Sequence, residues 1–231
     1  MRMTIPDSTS RNESDSADRE RAGDRARRFF DGLWNQGDYW KLETCAFDQA
    51  RYARLMEFLR DRRYSRTLEI GCGAGAFTRL LAGVSDRVVA LDVSPAAIER
   101  ARARGTGGSV EFRVANVMEI APEEESPWDL IVMNETVYYL GWLYSFFEVS
   151  WLAHRLFTVT AGGGRFLMAN TFGDTAGYLL RPWVIRTYRD LCANVGFLLE
   201  REEVFHGTKD DTQLDVLISL LRRPPPAATS R

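Results

Sequence analysis

The sequence predicts an α/β fold: a three-layer sandwich around a seven-stranded, mostly parallel sheet that ends in an antiparallel C-terminal strand pair. Three observations predict it. From Tyr64 onward, apolar runs of strand length alternate with stretches whose apolar residues recur at helical spacing. A glycine-rich turn, LEIGCGAGAF at 68–77, joins the first run to the first of those helices. Near the end the alternation stops, and two runs of period two, 197–205 and 213–221, follow one another with no helix between them.

Bulk properties narrow the function. A chain of 231 residues suits one domain with a single core. A formal net charge of -2 supplies no basic field, which argues against nucleic acid as a main partner. Lys41 and Lys209 are the only lysines in an arginine-rich chain. Cys45, Cys72 and Cys192 show neither a disulfide framework nor metal-type spacing, so no metal site is expected. No apolar run reaches membrane-spanning length and no signal peptide opens the sequence, so the expected compartment is the cytoplasm.

Taken in order, residues 1–24 are polar and aperiodic and are expected to form a disordered arm. The domain then spans 25–221, with 25–62 as an N-terminal helical portion. Its first helix carries Phe29, Phe30, Leu33 and Trp34 and breaks at Gly37-Asp38. Its second, capped by Thr44, carries Phe47, Tyr52, Leu55, Met56 and Leu59. Two readings of this portion stand together: a clasp packed on the sheet edge, or a lid with Trp40, Arg51 and Tyr52 facing a ligand.

The strand at 87–91 is continuously apolar, as burial on both faces requires, and ends at Asp92-Val93. Ser94-Pro95 starts the next helix, with Ser as cap and Pro in the first turn. The third strand, 109–114, leads to Ala115-Asn116-Val117. The fourth, 128–133, leads to Asn134-Glu135 and then Tyr138-Tyr139. One aromatic-rich helix is expected over 143–157, a glycine turn at 161–164, a fifth strand at 165–170, pocket residues at 171–174 and a helix at 182–195. His206 is expected in the loop between the last two strands, and 222–231 forms a flexible proline-rich tail.

In an open α/β sheet the ligand lies beyond the carboxyl ends of the strands. Gly71, Gly73 and Gly75 let the backbone turn and approach a ligand closely, and the first N–H groups of the following helix suit an anion. Gly71, Gly73 and Ala76 also satisfy a dinucleotide fingerprint, with Asp92 near the distance of a ribose-binding acid. Glu69 favours a different ligand. A carboxylate at the strand exit suits a cation, and S-adenosylmethionine (SAM) carries an ammonium and a sulfonium. A short-chain NAD-dependent dehydrogenase also needs a Tyr four residues before a Lys, which neither lysine has.

E-x-G-x-G-x-G is the first motif of class I SAM-dependent methyltransferases, and 69–75 resembles it. The series Asp92, Asn116 and Asn134-Glu135 extends that resemblance over roughly 64–221. WKLETCAFDQARY (40–52), the glycine loop, LDVSPAAIERARAR (91–104) and WDLIVMNETVYYLG (128–141) are similar to the nodulation protein S family, whose members N-methylate the free amino sugar of a chitin-oligosaccharide signal.

The resemblance implies a Rossmann-like domain, SAM as cofactor and a small-molecule acceptor. It implies that Trp40, Glu69, Gly71, Cys72, Gly73, Gly75, Val117 and Asn134 help hold SAM. Arg51 would meet its carboxylate, Asp92 the ribose hydroxyls, Val93 the adenine face and Asn116 the adenine amino group. Glu135, Tyr139 and His206 are the candidate catalytic residues. Transfer to an amine, transfer to a hydroxyl of a sugar or polyketide-like compound, and a non-catalytic SAM-binding module remain open. Oligomeric state is not legible in the sequence.

Overall fold

Strand β1 (Tyr64–Ile70) runs in the interior of the sheet, and five of its seven residues are buried. It pairs in parallel with β2 (Ser85–Asp92) on one side and β4 (Trp128–Asn134) on the other. The structure, a computed structural model, describes residues 8–105, 107–120, 122–173 and 178–226. Beyond β2 lies β3 (Val110–Val114), and beyond β4 lies β5 (Thr160–Phe172), both parallel to their neighbours. The far edge is a hairpin of β6 (Leu198–Lys209) and β7 (Thr212–Arg222), with β7 antiparallel to β5. The order is β3-β2-β1-β4-β5-β7-β6, a seven-stranded, mostly parallel sheet with an antiparallel C-terminal pair, as the sequence predicted. Strand order reverses between β1 and β4, which opens a crevice at their carboxyl ends.

Successive strand side chains point to opposite faces, so each strand feeds two cores. One face gathers Leu68, Val89, Ile131, Met133 and Phe166 against α6 (Phe146–Val159). The other gathers Val88, Ala90, Leu130, Val132 and Leu167 against Tyr52, Leu55 and Met56 of α2 (Ala46–Glu57) and Leu81 of α3 (Thr78–Val84). Between β2 and β3 lies α4 (Pro95–Ala103), whose N-cap Ser94 accepts a hydrogen bond from the Ala97 N–H. Among the described residues no helix is long and apolar enough to cross a membrane.

Several expectations are corrected. A 27-residue helix, α1 (Ser8–Trp34), runs through most of the supposed arm. It packs through Ala22 and Ala26, a small i,i+4 pair buried in the core, so polar composition concealed a docking face. Residues 1–7 lie outside the described set. Cys45, not Thr44, is the N-cap of α2 and makes no side-chain cap bond. The aromatic stretch is two helices: α5 (Val137–Leu143) ends before Ser145, which starts α6 with a reciprocal capping box to Glu148. Residues 161–164 belong to β5, not to a turn before it.

His206 sits within β6 opposite Asp215, not in a loop. The hairpin turns instead at Asp210-Asp211, both with left-handed backbone (φ 46 and 62), the geometry of a two-residue turn between twisted strands. The last helix is α7 (Pro182–Asn194), and Gly196 follows it. Asp174 and the tail beyond residue 226 lie outside the described residues.

Candidate active site

A cavity of about 390 Å³ opens at the crevice between the ends of β1, β2 and β4. The turn after β1 forms its floor. Gly71 and Gly73 have φ values of +77 and +53, and a Cβ on Gly73 would come within 2.8 Å of the Trp34 ring. The turn grips the sheet: the Gly71 and Cys72 N–H groups both donate to the Leu91 carbonyl, and Gly73 N–H donates to Asp92 at 2.8 Å. Helix α3 begins only at Thr78, so the expected anion-facing helix start does not follow the glycines at once.

Glu69 is buried and lines this cavity, and its described partner is the hydroxyl of Thr78, which donates at 2.5 Å. Among the described residues no cation pairs with it. Burial pushes its carboxyl up to about 8; the Thr78 bond opposes this and the charge of Asp92 adds to it. Asp92 accepts the Gly73 N–H on one oxygen and the Ser94 N–H, at 2.9 Å, on the other. Burial also raises its carboxyl, against those backbone bonds. Both oxygens are fixed in place and each keeps a lone pair for a ligand hydroxyl.

Beyond the end of β3, Val93, Asn116 and Val117 line the cavity as expected. The Asn116 amide is anchored: its nitrogen donates to Glu119 and to the Tyr144 hydroxyl, both at 2.7 Å, and its oxygen accepts the Met118 N–H. One lone pair of that oxygen remains unoccupied by the Met118 N–H. Tyr144, at the break between α5 and α6, was not singled out in the sequence.

The opposite wall is built on charge. Asn134 ends β4, and Glu135 follows with left-handed backbone (φ 55). That conformation is costly for a non-glycine residue. Its carboxylate accepts from Arg51 at 2.6 Å, from the Thr171 N–H and hydroxyl, and from the Tyr138 hydroxyl at 2.8 Å. Three of these donors meet Oε1 and the Tyr138 hydroxyl alone meets Oε2, so the carboxylate holds Arg51 and Tyr138 in place while Oε2 keeps a lone pair. Arg51 is 1% exposed; it also donates to Asn134 and Asp48. Its Nε–H is buried without a partner among the described residues. Coulombic attraction to Glu135 raises the Arg51 pKa above its ordinary value despite burial.

Tyr139 lines the cavity, edge-on to Phe30 at 4.8 Å, and burial raises its hydroxyl pKa. Trp40 lines it beside Trp34. Cys72 also lines it, with a thiol pushed well above its ordinary value by burial, which suits a small filler and not a nucleophile. The structure brings together all the sequence-predicted site residues except two. Gly75 faces Phe112 and Ala101 and not the cavity. His206 is exposed on the hairpin, bonded to Asp215 at 2.6 Å, and does not line the cavity, because strand alternation carries it outward. Lys209, at the end of the same strand, lines it instead.

Comparison with known proteins agrees with this architecture. The family model for nodulation protein S matches residues 26–146. Nodulation protein S of Bradyrhizobium diazoefficiens is 41% identical over 105 residues, 45% of this chain and 49% of the relative. The Sinorhizobium fredii protein is 32% identical over 148 residues, 63% of this chain and 64% of the relative. The chain thus spans about half to just under two thirds of these curated relatives. The crystal structure of the N-methyltransferase NodS from Bradyrhizobium japonicum WM9 with S-adenosyl-L-homocysteine superposes with a TM-score of 0.73 at 24% identity, covering 86% of this chain and 98% of that one. The sequence motifs, the sheet order and the family model point the same way, and the chain belongs to the nodulation protein S family.

Proposed function

We propose that this protein transfers a methyl group from SAM to an amine of a small, sugar-like acceptor. One observation carries the donor: Glu69 is a buried carboxylate with no cation partner among the described residues, at the carboxyl margin of the sheet, beside an Asp92 whose oxygens are oriented by backbone N–H groups. SAM would bring an activated methyl group on a sulfonium, so the protein's work is alignment and exclusion of water. Glu69 would meet the ammonium group, Asp92 the ribose, and Val93 and Val117 the adenine faces. Arg51, with its spare Nε–H, would meet the carboxylate. The relatives named nodulation protein S, and the NodS structure described as an N-methyltransferase, support the amine as acceptor.

In an SN2 transfer the lone pair of a neutral amine forms the new C–N bond as the S–C bond breaks, and the product ammonium then loses its proton to water. No strong base is obligatory. A hydroxyl acceptor would benefit from one within hydrogen-bond reach, and Oε2 of Glu135, which meets the Tyr138 hydroxyl alone, is the candidate for that reading. The aromatic residues Phe30, Trp40, Tyr138 and Tyr139 would offer apolar faces to a sugar ring.

The test is a screen with methyl-labelled SAM against amino sugars, N-acetylated sugars and phenols. Label on the amino sugars alone is the expected result. Label only on hydroxyl acceptors would replace the N-methyl assignment, and tight SAM binding without methyl consumption would point to a silent module.

A further inference from the structure

The cavity wall around Arg51 has an electrostatic difficulty. Arg51 carries one positive charge and touches two carboxylates, Asp48 at 2.7 Å and Glu135 at 2.6 Å. Asp48 and Arg51 are both buried, each with only 2% of its side chain exposed. Alone, this triad is net negative. An anionic ligand group approaching the spare Nε–H of Arg51 would meet that surplus.

The C-terminal hairpin supplies the missing charge. Lys209 ends β6 immediately before the Asp210-Asp211 turn. Its ammonium donates to the second oxygen of Asp48 at 2.6 Å and to the Trp40 carbonyl at 2.8 Å. It lies 18% exposed in the cavity lining. Asp48 thus spends one oxygen on Lys209 and one on Arg51. The result is an alternating row, Lys209–Asp48–Arg51–Glu135, with no net charge. The other lysine, Lys41, meets Asp210 at 3.5 Å on the surface of the same junction.

A compact ammonium with three donors fits this place better than a planar guanidinium, because its two partners are a carboxylate and a carbonyl and not a bidentate pair. In a chain where every other basic residue apart from histidine is arginine, both lysines stand at this one seam.

We propose that Lys209 is a positioning residue for the donor site: by neutralising Asp48 it leaves the charge of Arg51 available to a ligand carboxylate. This rests on the assignment of Arg51 to the SAM carboxylate. The family match ends at residue 146, so Lys209 lies outside the stretch it covers.

The test uses two ligands and a charge-paired rescue. Calorimetry of the full chain compares S-adenosylhomocysteine, which has the carboxylate, with methylthioadenosine, which lacks it. Lys209→Met is expected to weaken the first about tenfold and the second less than twofold. The Lys209→Met/Asp48→Asn double variant removes both charges and is expected to regain most of the lost affinity. Lys209→Gln keeps a donor for the Trp40 carbonyl and serves the same test if the Met variant does not fold.

Equal loss for both ligands, no loss for either, or no rescue in the double variant would overturn the proposal. Wild-type protein that binds methylthioadenosine and S-adenosylhomocysteine equally well would remove the Arg51 assignment beneath it. Wild-type protein that binds neither would remove the donor reading itself.

Discussion

Replacing Glu69 with Gln should stabilise the protein while removing its ligand. Glu69 is 2% exposed and has no cation partner among the described residues, and burial pushes its carboxyl up to about 8 from an ordinary 4.5. A carboxyl whose folded value lies above its unfolded value binds its proton more tightly when folded. Its stabilising contribution is therefore complete below about pH 4.5 and is lost as pH rises through about 8. The loss is about 1.4 kcal/mol per pH unit, so at neutral pH it is on the order of 3 kcal/mol. Gln has the same shape, does not ionise and can still accept from Thr78. Glu69→Gln is expected to raise Tm at pH 7 by roughly 6 to 12 °C for a domain of this size and to have little effect near pH 4.5.

The same variant should bind SAM at least 10-fold more weakly at pH 8, about 1.4 kcal/mol or more. Because a bound ammonium needs the ionised carboxylate, wild-type binding at pH 7 should release close to one proton. That release is read from calorimetry in buffers of different ionisation enthalpy. Thermal melts at the two pH values and those titrations decide the matter. A variant with wild-type Tm at pH 7, or proton-neutral binding at that pH, would refute the account of Glu69 as an acid waiting for a cation.

Other substitutions separate the roles around the cavity. Glu135→Ala removes the acceptor of Arg51, Thr171 and Tyr138 and leaves a buried guanidinium short of a partner; a loss of about 3 kcal/mol in denaturant unfolding is expected, with weaker SAM binding. Gly73→Ala places a Cβ within 2.8 Å of Trp34 at a φ of +53; about 1–2 kcal/mol of destabilisation and a raised Kd for S-adenosylhomocysteine are expected by melt and calorimetry. His206→Ala changes an exposed strand residue outside the cavity; stability within about 0.5 kcal/mol and unchanged turnover are expected.

The β1–β2 side of the cavity was legible because it is local. Glu69, Gly71, Gly73 and Asp92 stand at the ends of apolar runs, and period and breaking residues mark those ends. The charged wall was not legible as a network. Arg51 reaches Glu135 across 84 residues and Lys209 reaches Asp48 across 161, and no periodicity reports such pairs. The part of α1 before residue 25 escaped notice for a related reason: of its described residues Ala22 is the apolar one in the core, and one alanine in a polar stretch leaves little hydrophobic signal. His206 was misplaced because the alternating run was ended at 205, while strand pairing continues to Lys209 and the hairpin turns at two aspartates in left-handed conformation.

The two walls of the cavity therefore answer different parts of one ligand problem. On the β1–β2 side, acids without cations await a positive group, at a cost in stability that the isolated fold bears. On the other side, Asp48 and Glu135 already have their cations, and among the described cavity-lining residues Arg51 keeps one buried N–H without a partner. A zwitterionic amino-acid moiety has the complement of this pattern, an ammonium for the first wall and a carboxylate for the second, and a dinucleotide pyrophosphate does not. The pattern is complete only with Lys209 from the hairpin at the far end of the chain. Donor binding is thereby tied to the seating of β6 and β7 against the segment from Trp40 to Asp48. Changes in that hairpin, remote in sequence from every glycine of the loop, should appear first as changes in donor affinity.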